Sequence, residues 1–546
     1  MSAQVAAPSA VAPNTNSLVA GLEECEQDNR PPFVLNRTEL RLLVIAGIGF
    51  FLDGQSLASP SYVFLTSFPA YDLFIINQVA LMLQYRYYGG DHLPSGLEGF
   101  IKAGANIGSV IGQFLFGYLA DAFGRKAVYG KELMTIIFAT ILCISVPSYI
   151  GSEGGVLIWI GVFRIVLGVG VGGDYPMSAS ITGDRASLRK RGTMLTYVFA
   201  NQGWGSFVGS LVTMAVLACY KTAMDKNGQV YKIDAVWRIV VGVSLIPAFG
   251  TLYQRLTLPE STRFSKTRNT EADEAQKEAE AQNEKEAELK KTTLDASSSE
   301  QSSVQAEATE IKKKAHIHEF LQYMSEWRHA KLLIGTALSW FLVDIAFYGI
   351  NLNTSVVLQQ IGFDGAGNNA WHKIFRVATG NLIITALGFV PGYYVTVLTV
   401  EWLGRKWIQI QGFIMSSVFI AILAARFHTL SSVAFIVCFA LMQFFFNFGA
   451  NATTYMYPAE LFPTRYRAFA HGISAASGKA GAILASLAFN ALSKKIGTPA
   501  VLWIFVGCNL AGAVVTLVCL PEVRGRDPDA IELEERRLAR EQANSA

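Results

Sequence analysis

An acid closes a run of glycines, Gly168-Val169-Gly170-Val171-Gly172-Gly173-Asp174-Tyr175-Pro176, inside an apolar stretch from about Val156 to Ile181. That stretch is long enough to cross a bilayer. A carboxylate at the centre of such a span costs roughly 2.5–3.5 kcal/mol on insertion scales, so Asp174 points to function. The glycines let neighbouring helices approach closely. Lys479 raises the same question, because it stands deep in an Ala/Gly/Ser-rich span (Gly478-Lys479-Ala480-Gly481) where an amine has no packing role. Arg164 is a second intramembrane cation, in the same span as Asp174. It either pairs with an acid of the first helix or bonds backbone carbonyls. Trp340, Asp344 and Tyr348 recur every fourth residue and so share one helix face. Ionisable groups kept inside a membrane mark ion pathways and proton relays.

Membrane helices must position these groups. The chain is 51% hydrophobic and only 16% charged, against about 25% charged for a soluble globular chain. Its mean hydropathy is +0.32. The apolar residues come in blocks too long for barrel strands, and backbone groups in lipid must be bonded internally. An all-α polytopic membrane protein follows. One span lies between Leu40 and Tyr87, and others fall near 97–121, 127–148, 156–181, 194–219 and 236–258. Six more fall near 331–358, 375–400, 406–426, 430–458, 468–492 and 498–520, giving twelve helices in two groups of six.

The two groups repeat one another. Gly117…Asp121-Ala122-Phe123-Gly124-Arg125-Lys126 follows the second span, and Glu401-Trp402-Leu403-Gly404-Arg405-Lys406 follows the eighth. Leu258-Pro259-Glu260 ends the sixth and Leu520-Pro521-Glu522 the twelfth. Basic clusters recur in alternate loops, which places those loops, both tails and the linker in the cytoplasm. The expected organisation is a tail 1–39, a six-helix half 40–258, a linker 259–330, a second half 331–520 and a tail 521–546. The Glu/Lys/Gln/Ser-rich linker cannot bury a core. Duplicated six-helix halves are the architecture of a transporter whose site lies between them at mid-membrane.

These motifs resemble the major facilitator superfamily. The segment Gly168 to Ile181 is more specific and is similar to the signature of the phosphate:proton symporters, their fungal high-affinity members in particular. Ala70-Tyr71-Asp72…Asn77, Gln202-Gly203-Trp204-Gly205, Trp340 to Gly349, Asn447 to Tyr455 and Gly478-Lys479 fit the same family. The resemblance implies import of inorganic phosphate with protons by alternating access, at the plasma membrane, with no cofactor and no metal. It implies Tyr175, Gln202, Trp340, Tyr348 and Asn451 as hydrogen-bond donors to phosphate, with Lys479 as the cation and Asp344 as acceptor or proton carrier. Asp174 is the expected proton-coupling acid, with Asp53, Asp72 and Arg164. Desolvation favours its neutral form and a nearby Lys its charged form. Asp174 and Lys479 are therefore expected to share one water-accessible vestibule. Asp121, Arg125, Glu401 and Arg405 are expected to form cytoplasmic gate ion pairs rather than substrate contacts.

One segment departs from the family. Phe50-Phe51-Leu52-Asp53 is separated from Ala70-Tyr71-Asp72 by Gly54 to Pro69, rich in Ser and Pro. Without that segment Asp53 and Asp72 would stand three apart on one helical face. Residues 54–69 read as translated non-coding sequence, against the alternative of a re-entrant insertion held inside the protein.

Other signals carry less. A net charge of +3 argues against nucleic-acid binding. The six scattered cysteines read as small packing residues. Gly168-x-Gly170-x-x-Gly173 has the form of a dinucleotide fingerprint but lacks the strand that must precede it. No nucleophile–base constellation points to an enzyme. Two other readings stay open: a phosphate-binding nutrient sensor with regulatory partners at the linker and tails, and a symporter for another small anion or a polyol.

Overall fold

The computed structural model describes residues 33, 39, 68–148, 150–257, 317–365 and 369–545. Asp53, residues 54–67 of the anomalous segment, and the linker before residue 317 lie outside the described residues.

Every long element among the described residues is helical. The first six rods are α1 (Phe68–Tyr87), α2 (Ser95–Phe123), α3 (Lys131–Ile144), α4 (Glu153–Arg185), α5 (Arg191–Cys219) and α6 (Ile233–Gly242, resuming as Leu245–Thr257). The next three are α7 (Trp327–Asn351), α8 (Ala370–Leu403) and α9 (Arg405–Ala425). Then come α10 (Ser432–Asn447, resuming as Ala450–Leu461), α11 (Arg467–Ile496) and α12 (Thr498–Cys519), followed by an amphipathic α13 (Pro528–Ser545). Ten of these stretches are long and apolar enough to cross a membrane by length and composition. The exceptions, α1 and α2, carry Asp72, Asn77, Gln78, Lys102, Asn106 and Gln113, all buried against neighbouring helices rather than offered to lipid.

The glycines do what their spacing predicts. A Cβ on Gly168 or Gly172 of α4 would overlap the backbone of Ala105 or Ser109 on α2, and one on Gly108 would overlap Ile165. The two helices therefore meet backbone to backbone. Gly124 and Gly404 occupy equivalent turns, after α2 and α8, with φ of 96° and 83°. That left-handed conformation favours glycine and aims the following Arg back into the bundle.

Besides the break of α6 at Val243-Ser244 and the end of α7 at Asn351 within its expected span, two spans near the seam are less regular than their hydropathy predicts. The stretch expected as one helix over 430–458 breaks at Phe448-Gly449, where Gly449 packs against Gly412 of α9. Within α8 a π-turn at Thr385–Phe389 precedes Pro391, whose missing N–H leaves a carbonyl unpaired in a regular helix. Both irregularities adjoin the seam between the two groups of helices. That seam runs along α2 against α11 and α5 against α8.

Candidate functional site

Lys479 stands midway along α11 and is 1% exposed. Gly478 beside it leaves room for the indole of Trp340, which a Cβ would strike. The Lys479 ammonium donates to Tyr348 Oη at 2.6 Å and to Asp344 Oδ2 at 3.2 Å. It also lies 4.0 Å from the ring centroid of Tyr348 and 5.0 Å from that of Tyr175. Phenol rings at that range attract a cation without neutralising it. Asp344 Oδ1 is buried with no hydrogen-bond partner, so the ion pair leaves one carboxylate oxygen unmatched.

A chain of polar groups continues across the seam. Gln202 Nε2 of α5 donates to Tyr348 Oη at 3.5 Å, and Tyr393 Oη of α8 donates to Gln202 Oε1 at 2.8 Å. Asn451 Nδ2 of α10 donates to Tyr393 Oη at 2.7 Å and to Asn447 Oδ1 at 2.8 Å. Tyr175, Trp340 and Tyr455 close the chamber as a set of tilted and edge-on rings, with centroids 6.3 to 6.5 Å apart. Of the residues expected at a binding site, Asp344, Tyr348 and Tyr175 touch the Lys479 amine, Trp340 packs on Gly478 beside it, and Gln202 and Asn451 join it through the hydrogen-bond chain of Tyr348 and Tyr393. The pattern of three on one face of α7 holds, since Trp340, Asp344 and Tyr348 all face α11.

Sequence reasoning missed Tyr393, which joins the Gln202 and Asn451 amides across the seam. Its signal was a Tyr pair just after Pro391-Gly392 in an apolar span. Tyr455 and Asn447 lie in a motif quoted above, yet neither stood out as a contact. Phe199, stacked on Tyr455 at 4.5 Å, gave no signal beyond apolarity.

The expected vestibule shared by Asp174 and Lys479 is not found. Asp174 Oδ1 accepts from Arg255 Nη1 of α6 at 2.5 Å, and the same nitrogen lies 3.3 Å from Glu132 of α3. Adjacent helical residues point about 100° apart. Tyr175 turns to the seam, so Asp174 turns back into its own half. Glu132 and Arg255 are two further buried charges that the sequence reading passed over. Arg164 follows the second of its two expected behaviours. It donates to the carbonyls of Ile101 and Asp72 at 3.0 Å and of Leu73 at 3.5 Å. Asp72 is buried, and its Oδ1 has no hydrogen-bond partner.

The four gate candidates lie together at one end of the bundle. Arg125 Nη2 is 3.4 Å from Asp121 and donates to the Thr464 carbonyl at 3.0 Å, while Asp121 accepts from Phe469 N at 2.8 Å. Arg125 also lies 3.4 Å from Asp184 at the end of α4, and Arg467 of α11 pairs with the same Asp184. In the other half Arg405 holds Glu401 and Glu460 at 2.7 Å, and Glu401 Oε1 accepts from Thr193 N at 3.0 Å. The repeat thus extends to the ion pairs, because each turn Arg grips an acid at the end of the helix two rods later. Both clusters reach across the seam, and α13 adds Asp529, bonded to Thr464 N at 2.6 Å and Oγ1 at 2.7 Å.

A family model described as sugar (and other) transporter matches residues 61–534. The chain is 36% identical over 516 residues to the inorganic phosphate transporter PHO84 of Saccharomyces cerevisiae, covering 90% of this chain and 84% of that protein. It is 38% identical over 462 residues to a repressible high-affinity phosphate permease of Neurospora crassa, covering 82% and 76%. Among solved structures, the proton:xylose symporter XylE aligns with a TM-score of 0.63 at 19% identity, over 91% of this chain and 98% of that one. At that identity the likeness carries the fold alone, which is the major facilitator fold of twelve helices.

Proposed function

The chain belongs to the sugar (and other) transporter family, and on that premise we propose that it imports inorganic phosphate together with protons by alternating access. It is a multi-pass membrane transporter and not an enzyme. The relatives named above as phosphate carriers support the cargo. The single observation that carries the reading is Lys479, a buried amine ringed by phenol, indole and amide groups from both halves. An oxyanion leaving water needs a cation and several directed donors. Lys479 supplies the first, and Tyr175, Gln202, Trp340, Tyr348 and Asn451 supply the second.

Coupling follows from Asp344. While its carboxylate occupies Lys479, an incoming anion meets a charge already matched. A proton on Asp344 frees the ammonium, and phosphate takes the carboxylate's place. Proton and phosphate then each favour the other's binding, which is the condition for symport. After the halves rock, loss of the proton restores the carboxylate, which reclaims Lys479 and displaces the anion. Asp174, beside Arg255 and Glu132, and Asp72 offer further acids of the first half through which protons pass, and Asp53 and Arg164 are proposed for the same coupling. Basic loops at the face bearing α13 support a cytoplasmic location for both termini. The plasma membrane and regulatory contacts through the linker and tails complete the proposal.

The test is uptake of labelled phosphate by proteoliposomes carrying an inward proton gradient. Accumulation above equilibrium, abolished by a protonophore and by Lys479→Ala, is expected. Uptake indifferent to the gradient would sink the coupling. Uptake of a polyol in place of phosphate would sink the cargo.

A further inference from the structure

One turn beyond Tyr348, away from the gate ion pairs, a small, partly open cleft lies between α1, α5, α7 and α8. None of its lining residues is acidic or basic. Three buried polar atoms on residues of its wall have no hydrogen-bond partner: Gln78 Oε1, Ser206 Oγ and Asn381 Nδ2. The Gln78 amide is oriented by its Nε2, which donates to Ser210 Oγ at 2.8 Å, so its oxygen is the atom left over. The three comprise an acceptor, a hydroxyl able to do either, and a donor. Buried polar atoms are normally matched, and three orphans around one cleft call for a ligand that both donates and accepts.

The cleft leads toward the Lys479 chamber. Phe74 lines it and stacks on Tyr348 at 5.6 Å and 12°, while meeting Phe389, also of the lining, edge-on at 6.2 Å. Tyr348 in turn accepts from Lys479. An anion in the cleft is thus separated from the buried amine by one aromatic layer. On the reading that phosphate is the cargo, we propose that this cleft is an admission site for dihydrogen phosphate. Asn381 donates to a phosphate oxygen, a phosphate hydroxyl donates to Gln78, and Ser206 does either. A neutral wall does not repel the anion, and the Gln78 acceptor favours a protonated phosphate over sulfate, which has no proton to give.

The experiment is equilibrium binding of labelled phosphate to the purified full-length protein in lipid nanodiscs, paired with uptake kinetics. Lys479→Ala removes the inner cation and should leave weak phosphate binding that sulfate does not displace. Adding Asn381→Leu should weaken that residual binding about tenfold, the loss of one hydrogen bond to a charged group. In the otherwise intact carrier, Asn381→Leu should raise the KM about threefold to tenfold with Vmax kept within about twofold. Asn381→Asp should raise it further, because a carboxylate repels the anion. A misfolded variant lowers Vmax instead, so the split separates the two. No phosphate binding by the K479A protein, residual binding insensitive to N381L, or displacement by xylitol as readily as by phosphate would each overturn the inference alone. A wild-type protein that binds no phosphate overturns the cargo reading and this inference with it.

Discussion

At the scale of single residues, the ion pair between Lys479 and Asp344 governs the rest. A buried pair is costly to desolvate and costlier to break on one side. In the proposed mechanism that asymmetry makes the pair a switch, relieved by a substituting anion or a proton. Asp344→Asn keeps the shape and removes the proton acceptor. Uptake by wild-type protein should climb as external pH falls from about 6 to about 5, where phosphate is mostly dihydrogen throughout, whereas the variant should stay flat over that range. Phosphate exchange across the membrane, which needs no net proton movement, should survive. A variant still stimulated by acid would place the coupling proton elsewhere, with Asp174 the next candidate. Tyr393→Phe tests the bridge across the seam. Removing its hydroxyl leaves Gln202 Oε1 without its donor and costs about 1–3 kcal/mol. A melting temperature lowered by a few degrees, with a raised KM, is expected. The sequence made Lys479, Asp174, Asp344 and Asp72 visible, since such residue types in apolar spans announce themselves by cost, but not Glu132 or Asp184. It left open the direction in which each points. Asp174 and Tyr175 are neighbours in the chain yet serve different clusters, and Tyr393 matters only because α5 and α10 flank it.

At the scale of elements, hydropathy locates the helices but not their irregularities. The break at Phe448-Gly449 and the π-turn before Pro391 depend on what packs beside them, which a single chain's periodicity does not encode. Glycine spacing is the exception. A close helix approach at the α4 glycines was legible, because only residues lacking a Cβ permit backbones that close, but that α2 is the partner was not. Gly168→Leu forces a branched side chain into the backbone of Ala105. Overpacking typically costs 1–3 kcal/mol, and a contact with backbone that cannot move exceeds it. The variant should fail to yield a monodisperse peak in fluorescence-detected size-exclusion chromatography. Gly228→Ala, where a Cβ meets nothing within 4 Å, should pass the same assay. The left-handed φ of 61° makes this comparison severe, since any strain there counts against the control.

At the scale of the whole molecule, the halves are held shut at the face where α13 lies. Asp184 is the centre of that closure. It compensates Arg125 of its own half and Arg467 of the other, both fully buried. The repeat of the turn motif made the in-half pairings of Arg125 and Arg405 foreseeable. The link from Asp184 to Arg467 was not, because it joins residues 283 apart across the seam. Asp184→Asn leaves two buried guanidinium groups short of one shared carboxylate. Losing one partner of a buried pair costs about 3–5 kcal/mol. That cost falls on the closed state alone, since opening this face lets water reach both cations. The equilibrium should therefore shift toward a form open at the α13 face. Amide hydrogen exchange over residues 464–471 should quicken, while exchange in the α2–α4 core stays unchanged. Accelerated exchange in both regions would mean general destabilisation, and unchanged exchange at 464–471 would mean that the closure rests on other contacts. Steady-state phosphate uptake should fall because the carrier returns more slowly to the closed form, and added phosphate should not restore it.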